Sequence, residues 1–415
     1  MTRALRVAVV ARSVFPLHGR GGLERHVYDL VRHVAGRGHQ VTLITKRPAE
    51  VRPASAIHPN LDLITIPYRT FPLAGRRGTT VIDRSTAYPL FGERAGRAAW
   101  ELVRAGRVDL VHGLGASVLG YARRRKSASA PLVLNPQGLE EFGGTDPKRA
   151  RLKRVGYLPL RRAVLACARA ADRVIATDRS LEPVVREHLR VQAQRISLIP
   201  NAIDLDWLDS LATADDGNRI RRAAGLSPQD TVLLSVGRLE QNKGFHILAE
   251  ALGALANHGG LPGRWRWIVV GEGPYRTALE RTIDRAGIRS HVAMVGRAED
   301  SDVHAWYEAA TLFVHPTLYE GSSLVTLEAM AHRRAVVASN AGGLPDKVRA
   351  ANGWLVEPGR PSDLAAALSG ALDQRQRLAA MGAAGREIVE REFAWPAVTD
   401  SLIELYRQLL EIADA

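Results

Sequence analysis

The chain has 415 residues, 46% of them hydrophobic and 24% charged, with a net charge of +14 and one cysteine. That length exceeds one ordinary core and fits two domains of about 200 residues each, and the composition excludes disorder for the body of the chain. The lone Cys167 excludes an internal disulfide and points to a reducing, cytoplasmic compartment, and no run approaches the ~18 apolar residues that a membrane helix needs.

In chain order, Val7–Ala11 is a short β-rich run, too short for a signal-peptide core. Gly19-Arg-Gly-Gly follows, then a predicted helix from Leu23 to Gly36. Val41–Thr45 and Leu61–Ile66 read as strands. A helix containing Trp100 and Leu102 precedes a strand at Val108–His112. Leu132–Leu134 and Val174–Thr177 complete the first half. Residues 208–230 are polar and read as a linker region. Beyond them come strands at Val232–Val236, Trp267–Val270, Val292–Val295, Leu312–His315 and Ala335–Ser339. Helices at Phe245–Leu255, Tyr275–Ala286, Val303–Ala309 and Ser323–Ala331 alternate with them. Leu364–Leu372 and Ala379–Glu390 are predicted terminal helices; Trp395-Pro396 breaks the chain before a last helix at Val398–Leu410. Strands separated by helices imply parallel sheets. The class is therefore α/β, with two tandem Rossmann-like, doubly wound domains, residues 1–200 and 201–395, and a closing helical segment at 396–415 expected to pack back toward the first domain.

Charge divides along the same line. Residues 1–200 carry 35 Lys and Arg against 15 Asp and Glu, whereas residues 201–415 carry 22 against 28. The basic half suits an anionic partner or reflects arginine enrichment on a solvated surface.

Three stretches carry chemistry, each at a strand-to-helix junction, where sheets of this class bind ligands. Gly19-Arg-Gly-Gly22 lets backbone approach a ligand at a helix N-terminus, or makes a tight turn; it lacks the spacing of a dinucleotide fingerprint. Arg238 and Lys243 leave one loop five residues apart, a pair suited to a diphosphate, as is an ordinary solvated basic loop. Glu320 and Glu328 stand eight residues apart around a helix start. Ser322 or Ser323 is placed to cap that helix, whose free amides would hold a phosphate. Eight residues of helix rise about 12 Å, comparable to the reach from a ribose to a hexose across a diphosphate, which would set Glu328 at a ribose and Glu320, still in the loop, at a sugar.

These residues bring the sequence to a resemblance. It is similar over almost its whole length to the retaining glycosyltransferases of family 4, of GT-B fold. The ordered matches are Val236-Gly-Arg-Leu with Lys243-Gly, Val270-Gly-Glu-Gly-Pro274, His315-Pro, Glu320 to Ala329, Gly342-Gly-Leu-Pro345 and Asn352-Gly-Trp-Leu-Val-Glu-Pro358, with Ile199-Pro-Asn-Ala-Ile-Asp204 leading into the second domain. The resemblance implies a hexosyltransferase using a UDP- or GDP-sugar in an interdomain cleft, with retention and without metal or other cofactor. It implies that Arg238 and Lys243 bind the diphosphate, Glu328 the ribose, and Glu320 the transferred sugar. It further implies that Gly22, Gly271, Arg297, Gly321, Ser322, Ser323 and Leu324 line the donor site.

One departure concerns the loop where members often carry a histidine before a glycine. Here the segment is Asn135-Pro-Gln137-Gly138, and glutamine cannot shuttle a proton. Gln137, in that place, positions the donor or stabilises developing charge, and His26 and His112 are further candidates, each equally suited to a packed structural role. In the basic half, Arg123-Arg-Arg-Lys126, Lys148 to Arg154 and Arg161-Arg162 interleave with leucines, which suits anionic lipid. The expected acceptor is lipid-linked, a polysaccharide or another glycan, met at the inner membrane face. Nucleic acid is not expected, because no aromatic platform accompanies the basic residues. Alternatives are a sugar-nucleotide epimerase and a non-catalytic sugar-nucleotide binder.

Overall fold

The computed structural model describes residues 3–19, 21–48, 57–70, 79–125, 130–136, 139, 142, 155–261 and 263–414. Two compact units emerge: Met1–Pro200 with Trp395–Ala415, and Asn201–Ala394.

Among the described residues, unit one builds a seven-stranded sheet from β1 (Arg6–Val10), β2 (Gln40–Lys46), β3 (Leu61–Ile66), β4 (Leu110–Leu114), β5 (Leu132–Asn135), β6 (Arg173–Ala176) and β7 (Ile196–Leu198). Their order is β3-β2-β1-β4-β5-β6-β7, with every pair parallel. Val9 faces Leu43 on one side and His112 on the other. Helices α1 (Gly22–Gly36), α2 (Thr79–Arg104), α3 (Leu119–Arg124), α4 (Leu158–Ala170) and α5 (Leu181–Leu189) connect the strands. The β1 and β4 strands are apolar because both faces are covered, as parallel sheets require.

The closing helix, Trp395–Asp414, belongs to this unit. Trp395 stacks on His33 with centroids 5.5 Å apart and touches His26 at 5.4 Å. Arg37 pairs with Asp400. Tyr406 meets the His112 ring at 2.6 Å inside the core. Pro396 does not break the chain; it sits in the first helical turn, where its missing N–H has no partner to lose.

Unit two contains a six-stranded sheet, ordered β10-β9-β8-β11-β12-β13. Its strands are β8 (Thr231–Val236), β9 (Trp265–Val270), β10 (Val292–Gly296), β11 (Leu312–His315), β12 (Val336–Ser339) and β13 (Gly353–Val356). Around it lie α6 (Leu205–Leu211), α7 (Ala214–Ala223), α8 (Phe245–Asn257), α9 (Arg276–Arg285), α10 (Asp300–Ala309), α11 (Leu324–Ala331), α12 (Pro361–Asp373) and α13 (Leu378–Ile388). Trp267, Phe245 and Phe313 fill its interior. Ile203 N donates to Phe393 O at 2.9 Å, so the start and end of the unit lie side by side.

The structure departs from the sequence reading in places. Residues 208–230 are not a linker, because α6 and α7 occupy most of them. Asp204 accepts from Trp207 N at 3.2 Å to start α6, and Asp216 accepts from Thr213 N at 3.0 Å to start α7. Their few apolar residues hid them; Leu208 is nonetheless buried, and a Cβ at Gly217 would press on Glu308. The fourth strand begins at Leu110, two residues later than expected. β7 and β13 run only three and four residues.

Close helix contact in unit one rests on glycine. A Cβ at Gly120 would fall onto the Glu93 carbonyl of α2, whereas one at Gly370 in α12 would meet nothing within 4 Å. Gly120→Ala should therefore lower the melting temperature, by the equivalent of about 1–3 kcal/mol. Gly370→Ala should leave it unchanged or raise it, since alanine is favoured by roughly 0.5–1 kcal/mol in a helix interior. Differential scanning fluorimetry checks both; equal loss in the two variants would contradict the packing argument.

Candidate functional site

The strand order of unit two changes direction between β8 and β11, and the loops leaving these strands are laced together. Gly244, at φ 68°, lies so close to Pro316 O that a Cβ would collide with it. Leu318 N donates to Asn242 O at 2.7 Å, and Thr317 Oγ1 donates to the same carbonyl at 3.0 Å. These contacts bring Lys243 to Glu320 across 77 residues of sequence, with Nζ donating to Oε2 at 2.7 Å. His315, at the end of β11 and fully buried, donates from Nε2 to the same oxygen at 2.8 Å. Burial pushes the Glu320 carboxyl pKa up. His315 and Lys243 outweigh that effect and hold it at about 2. Glu320 is therefore a fixed anion, and its backbone is backed by Gly342, whose left-handed φ of 54° allows close approach to Glu320 O.

Gly271 ends β9 and abuts Gly237 O, a contact that any side chain would prevent. Leu239 N donates to Glu272 O at 2.9 Å, which ties the β8 and β9 loops. Arg297 follows β10 and is exposed. The predicted site residues of this unit thus gather on strand-to-helix loops of adjacent strands and on α11.

The arrangement adds detail to the expected site and corrects one expectation, the serine cap. Arg238 is 70% exposed and meets Glu240 at 3.2 Å, while Lys243 pairs with Glu320. Neither Ser322 nor Ser323 caps α11 with its side chain. Ser323 is the N-cap residue, but its hydroxyl pairs with Thr326 at 2.9 Å. The Ser322 Oγ is buried without a hydrogen-bond partner among the described residues. The helix runs over Leu324–Ala331, so Glu320 lies in the loop before it, as expected, and the helical rise of eight residues does not measure its distance from Glu328. The amides of Gly321, Ser322, Ser323 and Leu324 lead into the helix without a side-chain cap, the usual setting for an anion.

Glu328 is half-buried on α11 and accepts from the Tyr307 hydroxyl of α10 at 2.9 Å. Burial raises its pKa to about 7, the Tyr307 hydrogen bond opposes the rise, and Asp300 adds to it. His315 and Tyr307 escaped the sequence reading. His315-Pro was visible as a motif without a role, and Tyr307 resembles any core aromatic.

In unit one, Gly22 is the exposed first residue of α1, whose N-cap Gly21 offers no side chain. Gln137 lies outside the described residues. His26 and His112 are packed: burial lowers their pKa values to about 4 and about 3, so both are neutral. The basic run is partly engaged internally. Arg123 and Arg124 pair with Glu93, and Arg125 with Asp172. Arg161 lies 4.9 Å over Phe142, Arg162 is exposed, and Lys126 and Lys148 to Arg154 are outside the described residues. Among the described residues, no group of three His, Cys, Asp or Glu could hold a metal, and no helix is long and apolar enough to cross a membrane.

Two α/β units with this arrangement define the GT-B class of glycosyltransferase. Glycosyltransferase Family 4 matches residues 20–207 and Glycosyl transferases group 1 matches residues 216–388. The chain belongs to this family of glycosyltransferases. It is 28% identical to D-inositol 3-phosphate glycosyltransferase 2 of Catenulispora acidiphila, over 98% of this chain and 95% of that protein. Sucrose-phosphate synthase from Thermosynechococcus elongatus shares the fold at a TM-score of 0.74 and 23% identity, covering 98% of this chain and 100% of that one. HepE of Anabaena, solved with UDP, does so at 0.70 and 20%, covering 98% and 100%; its UDP-glucose complex gives 0.67 and 20%, covering 97% and 100%.

The raised Glu328 pKa makes a stability prediction with a definite sign. Folding must hold this carboxyl at about 7 against 4.5 for the ordinary group. Its ionisation therefore costs nothing below pH 4.5, progressively more as pH rises to 7, and a constant amount above. Glu328→Gln should raise the melting temperature at pH 8, by the equivalent of about 1–3 kcal/mol, and leave it unchanged at pH 4. An equal shift at both values would contradict the assignment.

Proposed function

We propose that unit two binds a nucleoside-diphosphate sugar and that the enzyme transfers its hexosyl group to an acceptor hydroxyl with retention of configuration. The observation that carries this reading is the Lys243–Glu320–His315 cluster at the β8/β11 switch point, beside an uncapped helix start. Glu320, fixed through one oxygen, accepts hydroxyls of the transferred sugar with the other. Lys243 and the exposed Arg238 meet the negative charge that grows on the leaving diphosphate. The α11 amides and Ser322 Oγ add donors, and no metal or other cofactor is called for. Glu328, poised between its neutral and ionised forms near neutral pH, accepts ribose hydroxyls. With His26 and His112 neutral and packed, the departing phosphate oxygen is the base that takes the acceptor proton, and Gln137 serves to position the donor. HepE holds UDP-glucose, which supports a UDP-sugar; a GDP-sugar fits the same contacts.

For the acceptor, the name carried by the Catenulispora relative supports a small phosphorylated polyol. A second reading, a lipid-linked or polysaccharide acceptor met at the inner face of the membrane from a cytoplasmic location, is favoured by Val155 and Leu158. They are 74% and 42% exposed at the approach to α4. Under it, Val155→Asp with Leu158→Asp abolishes co-flotation with anionic vesicles; unchanged flotation removes that reading.

The donor site is tested with UDP and GDP by calorimetry. Lys243→Ala and Glu328→Ala should each weaken binding at least about tenfold, the usual cost of a charged hydrogen bond, without unfolding the protein. Release of the nucleoside diphosphate from its sugar should require acceptor. Unchanged affinity in both variants would overturn the assignment.

A further inference from the structure

Unit one has its own switch point. Its strand order changes direction between β1 and β4, and open parallel sheets take ligands at the carboxyl ends there. Two cations stand at that edge. Arg12 lies two residues past β1, and Lys46 closes β2. Backbone ties them together, with Lys46 N donating to Arg12 O at 3.4 Å and Thr45 Oγ1 to the same carbonyl at 3.2 Å. The Arg12 guanidinium lies 4.8 Å over the Tyr88 ring. The Tyr88 hydroxyl in turn donates to Leu114 O, at the end of β4, at 3.0 Å. Arg12 thus sits across the junction of β1 and β4. Lys46 Nζ lies 5.8 Å from the Tyr68 ring centre.

Both cations are half-buried, and among the described residues neither forms an ion pair. The nearby carboxylates reach the cations only indirectly: Asp83 accepts from the Tyr68 hydroxyl at 2.9 Å, to which Arg12 also donates, and the Glu24 carboxylate folds toward Gly21. His18 is spent on the loop, since its Nδ1 accepts from Val14 N and its Nε2 donates to Lys46 O. Burial first and Arg12 second lower the Lys46 pKa, while Glu24 and Asp83 oppose the shift. Two half-buried like charges that form no ion pair among the described residues, and that Glu24 and Asp83 only partly offset, are unfavourable in the empty protein. They become favourable when an anion bridges them. A phosphate monoester carries about −1.5 to −2 charges at pH 7, the complement of one guanidinium and one ammonium. Arginine supplies a planar fork and lysine a point charge.

We propose that Arg12 and Lys46 form a phosphate site at the β1/β4 junction that holds a phosphate monoester of the acceptor. The ligand's role as acceptor rests on the glycosyl-transfer reading; the phosphate binding itself does not. Calorimetry with glycerol 3-phosphate and inositol monophosphate tests it, with unphosphorylated inositol as control. The wild-type chain binds the two esters and not inositol. Arg12→Gln and Lys46→Met each weaken ester binding at least about tenfold, and Lys46→Arg restores most of it. UDP or GDP affinity and the melting temperature stay unchanged in all three variants, which shows that both units fold. Binding of phosphatidic acid vesicles lost in Lys46→Met, with no binding of soluble esters, would keep the site and assign its phosphate to a lipid headgroup. Equal ester binding in wild type and both neutral variants, or no phosphate binding from either source, overturns the proposal. Failure of UDP and GDP to bind the wild type would instead sink the donor reading and leave this site standing.

Discussion

A single carboxylate oxygen organises unit two. Glu320 Oε2 receives Lys243 Nζ from the β8 loop and His315 Nε2 from the end of β11. A lysine left alone in a part-buried loop would be costly, and so would a lone glutamate. Each is tolerable only because the other is there, and His315 sets the direction of the carboxylate. The glycine contacts at Gly244 and Gly342 make the cluster possible by letting backbone segments approach where a Cβ would collide. Fold and site are therefore one construction: the parallel order of β8 and β11 places the loops, and the ion pair fixes what they present.

Glu328 shows the opposite strategy. Glu320 is stabilised as an anion, whereas burial holds Glu328 close to neutrality of charge, and the Tyr307 hydroxyl opposes that shift. A carboxylate kept at a cost to stability is the kind of group that function retains. On the proposed reading, its ionised form gains partners when sugar hydroxyls arrive, so binding energy and electrostatic relief coincide. The two glutamates of one sequence motif ionise differently because their surroundings differ. Arg238 differs again, being 70% exposed and paired with Glu240.

Much of this was legible in the sequence. The alternation of apolar runs and helices gave the parallel α/β class, and Arg238, Lys243, Glu320 and Glu328 were identifiable from spacing and resemblance. What escaped was what tertiary contact alone creates. The pairing of Lys243 with Glu320 joins two loops that no local pattern connects. His315 and Tyr307 are ordinary in sequence and acquire meaning only beside their carboxylates. Helices α6 and α7 were hidden because caps at Asp204 and Thr213, rather than an apolar stripe, define them. The basic run at Arg123–Arg125 looked free for a partner, yet its guanidinium groups find carboxylates within the unit. Arg12 and Lys46 are far apart in sequence and meet only because β1 and β2 are neighbours.

The central claim is that unit two grips a sugar nucleotide through Lys243, Glu320 and Glu328. A crystal structure of the chain with a bound nucleoside-diphosphate sugar tests it most directly. The account predicts the ribose hydroxyls within hydrogen-bonding distance of the Glu328 carboxylate, the diphosphate against Lys243 and the start of α11, and the hexose against Glu320. A nucleotide seated elsewhere, with Glu328 and Lys243 untouched, would contradict it.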